Sequence, residues 1–165
     1  DVMVNNAGLG HQASLISGET DAWREMLEVY VLALCICTRE AVKDMQINES
    51  KGHVIHISSM AGHRIPAIGG LYSASKFAVR SLTEGLRREL RAAQSPIRVS
   101  SISPGFVETE FAEKYSKSIE QARQTYSQFP VLQPEDIADA VAYVLNQPEH
   151  VQIHDILVRP TQQPS

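Results

Sequence analysis

The chain has 165 residues, 43% of them hydrophobic, and a formal net charge of -4. That length and apolar content suit one globular domain, residues 1–165, with a sizeable core. The acidic balance argues against a nucleic-acid partner, and no apolar run approaches the length of a membrane span, so a soluble, cytoplasmic protein is expected.

The sequence opens at Asp1, not Met, inside an apolar run, which reads as a fragment or a misplaced start. Residues 1–5 predict a short buried strand that stops at Asn6-Ala7-Gly8, a small turn where backbone can approach a ligand. Glu19-Thr20-Asp21 offers helix-capping side chains. From about 21 to 46, Trp23, Met26, Leu27, Tyr30, Leu34 and Ile36 recur at helical spacing and predict a long, largely buried helix. Cys35 and Cys37, two apart on that helix, form neither a CxxC motif nor a metal pair and are expected to be buried thiols. The histidines at 11, 53, 56, 63, 150 and 154 show no ligand spacing, so no metal is expected.

His53 to Ser58 predicts a strand with Ser59 at its carboxyl end. Residues 61–71, with Gly62, Gly69, Gly70 and Pro66, predict a loop, and helical periodicity resumes from Tyr72 to about Ala93 through Phe77, Leu82, Leu86 and Leu90. Arg80, Arg87, Arg88 and Arg91 alternate there with Glu84 and Glu89, as on a solvated or subunit-facing surface. Ile97 to Ser103 predicts a third strand, broken at Pro104-Gly105. Residues 106–132 are polar and weakly periodic, with Phe111, Tyr115, Tyr126 and Phe129 spaced along them, as in a mobile flap over a pocket or a loosely packed surface loop. Pro134-Glu135-Asp136 opens a last helix through Ile137, Ala140, Val141 and Val144. Val151 to Val158 predicts a final strand, and the tail after Arg159 is expected to fray. The alternation of strand and helix implies an α/β fold built on a parallel sheet with right-handed crossovers.

In such sheets ligands bind beyond the carboxyl ends of the strands. Here those ends carry Asn5-Asn6-Ala7-Gly8, Ser59 and Ser103-Pro104-Gly105, while Tyr72 and Lys76 open the following helix on one face. An ammonium beside a phenol favours the phenolate and suits it to acid/base work.

These residues, with Tyr72-Ser73-Ala74-Ser75-Lys76 and Pro104-Gly105-Phe106-Val107-Glu108-Thr109, resemble the short-chain dehydrogenase/reductase family, and the resemblance runs from Asp1 to about Pro160. Ile36 to Ala41, Ser59 to Arg64 and Ile153 to Thr161 are similar to the subgroup called dehydrogenase/reductase SDR family member eleven and its insect farnesol dehydrogenase-like relatives. The resemblance implies a partial Rossmann-type sheet and an NAD(P)-dependent oxidoreductase, NADP preferred and NAD possible, acting as a homo-oligomer on a small apolar alcohol or carbonyl of steroid or isoprenoid type. Tyr72 would exchange the proton. Lys76 would bind the nicotinamide ribose and lower the phenol pKa, and Ser59 would hold the substrate oxygen. Asn5, Asn6, Ala7 and Gly8 would lie along the cofactor, with Pro104, Gly105, Val107 and Thr109 at its carboxamide end, and 106–132 would form the substrate flap.

Two departures stand against this pattern. Tyr30 occupies the place of an Asn that supports a water relay to the lysine, where its phenol either substitutes or blocks. The family's amino-terminal strand and Gly-rich phosphate loop, about 70 to 90 residues, have no counterpart in the sequence. Residues 1–165 alone are therefore expected to be inactive, and the alternative is a catalytically silent oligomerising or binding module.

Overall fold

The computed structural model describes residues 1–48, 51–66 and 69–164. Ala67 and Ile68 of the expected loop lie outside the described residues. β1 (Val2–Asn5), β2 (His53–Ile57), β3 (Arg98–Pro104) and β4 (Asp155–Val158) form one parallel four-stranded sheet in chain order. Each parallel step needs a crossover. These are supplied by the helical run Thr20–Ile47, by α3 (Gly70–Ala92), and by the segment that contains α4 (Phe111–Ser116), α5 (Ile119–Tyr126) and α6 (Pro134–Leu145).

Side chains alternate across the sheet and separate two apolar layers. Val54 and Val99 face Met45, Leu90 and Ile97 on one side. Ile55 and Ile102 face Val144, with Ile137, Ala140 and Val141 of α6, on the other. Gln133 and Asp136 close a reciprocal capping box on α6, with Pro134 in its first turn.

The first helical run is α1 (Thr20–Leu27), a π-helical segment (Glu28–Ala33) and α2 (Leu34–Ile47). Its buried positions Met26, Tyr30, Leu34 and Thr38 fall every fourth residue. In a plain α-helix that spacing would drift by about 40° a step, and wider winding keeps the four aligned on the core. The run is amphipathic rather than largely buried, since Leu27, Leu32 and Ile36 are exposed. Glu19 makes no side-chain cap. Cys35 is half-buried and Cys37 exposed because both lie off that inward line.

Three other expectations are corrected. Arg87 is not on the charged surface: it is buried, pairs with Glu84 and donates from Nη2 to the carbonyls of Val99 at 3.4 Å and His154 at 3.3 Å. Residues 106–132 hold two short helices, because Thr109 Oγ1 accepts from the Phe111 amide and Ser118 Oγ from the Gln121 amide at their starts. The tail is docked: Gln163 is buried, and its Oε1 accepts from the Phe106 amide at 2.9 Å. Among the described residues no helix is long and apolar enough to cross a membrane, and no cluster of three potential metal ligands forms.

Candidate active site

Just past β2, Ser59 caps the short 3-10 turn Met60–Gly62, accepting from the Ala61 amide at 3.1 Å and donating to the Pro104 carbonyl at 3.5 Å. A Cβ on Gly62 would come within 2.8 Å of the Lys76 carbonyl, so glycine lets this turn lie against α3. Two residues ahead of the expected start, α3 begins after Gly69, whose φ of 109° only glycine adopts without strain. Tyr72 and Lys76 thereby stand on one face of its first turns, and the structure brings the Tyr72 phenol to Ser59.

The Lys76 ammonium is 4% exposed. It donates to the Ile57 carbonyl at 3.0 Å and sits 3.9 Å over the ring centroid of Tyr30, while the Tyr72 ring centroid is 5.9 Å away. Burial therefore governs both groups. The Tyr72 phenol is pushed up to about 12, hydrogen bonding with Ser59 and Tyr30 pulling the other way, and Lys76 is pulled down to about 7. An ammonium at the phenol oxygen would lower Tyr72; here Lys76 points to a carbonyl and to another ring, so desolvation wins. At neutral pH Tyr72 holds its proton and is fit to donate it.

Over the phenol lie the rings of Phe111 and Tyr115, with centroids 5.7 and 6.1 Å from Tyr72. They close down on the backbone at Gly10, where a Cβ would stand 2.6 Å from Tyr115 and 2.8 Å from Phe111. Below, Tyr30 meets Tyr72 edge-on at 5.8 Å, and its hydroxyl donates to the Leu9 carbonyl at 2.5 Å. Burial, and then the neighbouring Tyr72 charge, push the Tyr30 phenol far above its ordinary range.

The structure distributes the remaining expected positions unevenly. The exposed turn Asn6-Ala7-Gly8 stands on the rim, but the side chain of Asn5 turns inward. Its Nδ2 donates to Thr38 Oγ1 at 3.0 Å, and Thr38 shares a hydrogen bond with His56 Nε2 at 3.2 Å. Thr83 is bound at 2.9 Å to the other nitrogen of that ring. β3 ends at Pro104, and the Gly105 amide donates to the Val158 carbonyl at 2.7 Å. The bridge to Leu132 uses the Phe106 carbonyl and the Glu108 amide, leaving Val107's own amide and carbonyl outside it. Thr109 Oγ1 accepts at the start of α4 and keeps its proton to donate.

Sequence reasoning missed two supports. His63 Nε2 lies 3.0 Å from Asp155 Oδ2 and 3.2 Å from Ser103 Oγ, tying the Ser59 turn to β3 and β4. His56 is the second, and its signal was available: a polar ring in an apolar strand must find partners on both nitrogens. These residues fit the nicotinamide half of a dinucleotide. The buried ammonium of Lys76 has donors beyond its bond to Ile57, and the Asn6–Gly8 and Val107 backbones stand on the same rim.

A model of the short chain dehydrogenase family matches residues 1–120. Over 99% of its length the chain is 54% identical to dehydrogenase/reductase SDR family member 11 of Bos taurus, and over 97% it is 39% identical to farnesol dehydrogenase of Aedes aegypti. It spans 66% and 63% of those relatives' lengths. Its fold is similar to that of the closed form of serine dehydrogenase complexed with NADP+, with a TM-score of 0.94, 33% identity, and 100% of this chain and 66% of the other covered. A second solved structure, 4-hydroxyisoleucine dehydrogenase complexed with NADH, gives a TM-score of 0.78 at 25% identity, covering 96% of this chain and 66% of the other.

Proposed function

The chain belongs to the short-chain dehydrogenase family, and from that membership we propose that it carries the catalytic part of an NADP-preferring oxidoreductase that interconverts an apolar alcohol of steroid or isoprenoid type and its carbonyl. The observation that carries this reading is the meeting of Ser59, Tyr72 and Lys76 on one rim under the rings of Phe111 and Tyr115. The bound nicotinamide supplies the hydride. Tyr72 gives its proton to the carbonyl oxygen in reduction and recovers it in oxidation. Ser59 holds that oxygen by a hydrogen bond. Lys76 holds the nicotinamide ribose, and the neighbouring turn, Asn5 through its backbone and then Asn6, Ala7 and Gly8, lies along the cofactor. Pro104 and Gly105 shape the second turn, where the Val107 backbone and the Thr109 hydroxyl hold the carboxamide.

The NADP+ of the serine dehydrogenase complex and the name of the mosquito relative support cofactor and substrate class, and the NADH of the second structure keeps NAD as the alternative. Exposed Leu32, Ile36 and Phe77 support a homo-oligomer. A silent binding module gains no support from relatives named as dehydrogenases. To test the reading, the intact protein is assayed for NADPH oxidation with steroid and isoprenoid carbonyls, and with hydroxy amino acids in the reverse direction. Turnover confined to the apolar set is expected; turnover confined to the amino acids overturns the substrate class, and none with any carbonyl overturns the reading.

Residues 1–165 expressed alone are expected to lack dehydrogenase activity and tight cofactor binding, since the pyrophosphate in this architecture rests on a Gly-rich turn and helix amino terminus. Titration with NADPH, followed by fluorescence, decides this, and micromolar binding overturns it.

A further inference from the structure

Tyr30 joins two parts of the site, the Lys76 ammonium and the turn at Leu9. It is 3% exposed and stands on the π-helical segment, where the wide winding turns it inward. Its ring face takes the Lys76 ammonium at 3.9 Å, and its edge meets Tyr72 at 5.8 Å. Its hydroxyl reaches past both rings to the Leu9 carbonyl at 2.5 Å, and a Cβ on Gly8 would lie 3.0 Å from that hydroxyl.

We propose that Tyr30 is a positioning residue that fixes the Lys76 ammonium and the turn at Gly8 and Leu9 against each other, its ring seating the cation and its hydroxyl tethering the turn. Burial pulls Lys76 down to about 7, so below that pH the group is mostly charged, and a cation over an aromatic face is held by the ring quadrupole, most strongly where water is excluded. Without the ring, the buried ammonium keeps the Ile57 carbonyl as its acceptor among the described residues, and its long stem regains rotamers. Without the hydroxyl, the Leu9 carbonyl loses its donor and the turn its distance from Lys76. Tyr30 acts on the reaction only through these two groups.

Two measurements on the intact protein test this, and the first needs no cofactor. In a carbon–proton NMR spectrum with lysine labelled at Cε, the Lys76 Hε resonances are expected upfield of the other lysines, shifted by the ring current. The shift should persist in Tyr30→Phe and vanish in Tyr30→Leu. An ordinary Lys76 position in the unsubstituted protein overturns the proposal outright, so it stays falsifiable if Tyr30→Leu fails to fold.

The second measurement rests on the function proposed above and is a double-mutant cycle read as NADPH affinity. Tyr30→Leu should weaken binding about tenfold beside Lys76, and by no more than about twofold in a Lys76→Met background; Tyr30→Phe should keep the ring's share. Equal losses in both backgrounds would mark a merely structural residue and overturn the proposal. A displaced Lys76 signal in a protein that binds no nicotinamide cofactor would leave the seat standing and defeat the functional reading instead.

Discussion

Ser59, Tyr72 and Lys76 stand on segments locked to the sheet, whereas Phe111 and Tyr115, which cover the same phenol, stand on a six-residue helix with no buried residue. Behind the first wall lie Val79, Ile55 and Ile102, all fully buried, and a hydrogen-bond path through Asn5, Thr38, His56 and Thr83. Behind the second lie Ala122, the bridge from Val107 to Leu132, the Tyr126 hydroxyl on the Thr109 carbonyl at 3.2 Å and the stacked rings of Phe106 and Phe129, all but Ala122 at least partly exposed. Proton exchange needs donor and acceptor held to a fraction of an ångström, which close packing provides. A cover that must admit and release a substrate is better built from contacts that re-form at low cost. On the function proposed above, the two walls would divide the work: one would set the chemistry, the other which molecule reaches it.

The division predicts its own failures, the largest first. Tyr72→Phe keeps the ring among Tyr30, Phe111 and Tyr115 but removes the proton, so turnover of the intact protein should fall by about a hundredfold to ten-thousandfold with cofactor affinity unchanged. Retention of more than about a tenth of turnover removes Tyr72 from the role. Lys76→Met should lower turnover and affinity together.

Next in size, truncation behind each wall should separate stability from selectivity. Ile55→Ala is expected to cost about 2 to 5 kcal/mol in urea unfolding, because Ile55 is fully buried between β3 and α6. Phe111→Ala, at a partly exposed site, should cost under about 1 kcal/mol while raising KM for the apolar substrate severalfold with little change in kcat. Equal costs would erase the distinction between the walls.

Acid should attack the first wall. Burial, with Arg98 and Arg87 adding to it, pulls His53 and His56 down to about 4 from an ordinary 6.5. The unfolded chain therefore binds more protons than the folded one between these values. Stability contributed by the neutral rings is present above pH 6.5 and lost as pH falls toward 4, to the order of 3 kcal/mol for each ring. Residues 106–132 contain no histidine. Unfolding followed by amide exchange from pH 7 to 4.5 should show protection falling in β2 while α5 changes little in that window; parallel losses contradict the assignment.

The smallest effect tests the seam. Gly10→Ala would press a methyl against Cδ2 of Tyr115 and Cζ of Phe111, and the short α4 that carries both rings is expected to yield. A few-fold change in substrate KM, with thermal stability nearly intact, is the expected result. A large loss of stability would mean that α4 is as firmly held as α3.

Much of the first wall could be read from the residues, because its determinants are local. Strands alternate with helical periods, Tyr72 and Lys76 fall one turn apart, and Ser59 follows an apolar strand. What escaped depended on partners far away in sequence. Nothing in the charge pattern of α3 marks Arg87 as the one turned inward, since its acceptors are carbonyls at 99 and 154. Gln163 reads as the end of a polar tail until Phe106 supplies its donor. The downward push expected on Tyr72 failed for a similar reason. Spacing brings Lys76 near, but the ring of Tyr30, arriving from another helix, decides where the ammonium points.

The π-helical segment also has a bearing on how the chain can change. Substitutions on the outer side of Glu28–Ala33 leave its winding alone, and exposed Leu32 could become many residues. Losing one residue there is a different event. The segment would relax to ordinary α-helical winding, and Met26 and Leu34, then seven residues apart, would still fall within about 20° of one line. Met26, Leu34 and Thr38 would stay on the core, while side chains within the segment, Tyr30 among them, changed direction. This stretch should therefore tolerate wide variation in identity and the loss of one residue, whereas losing a second would turn α1 by about 100° and carry Met26 off the core.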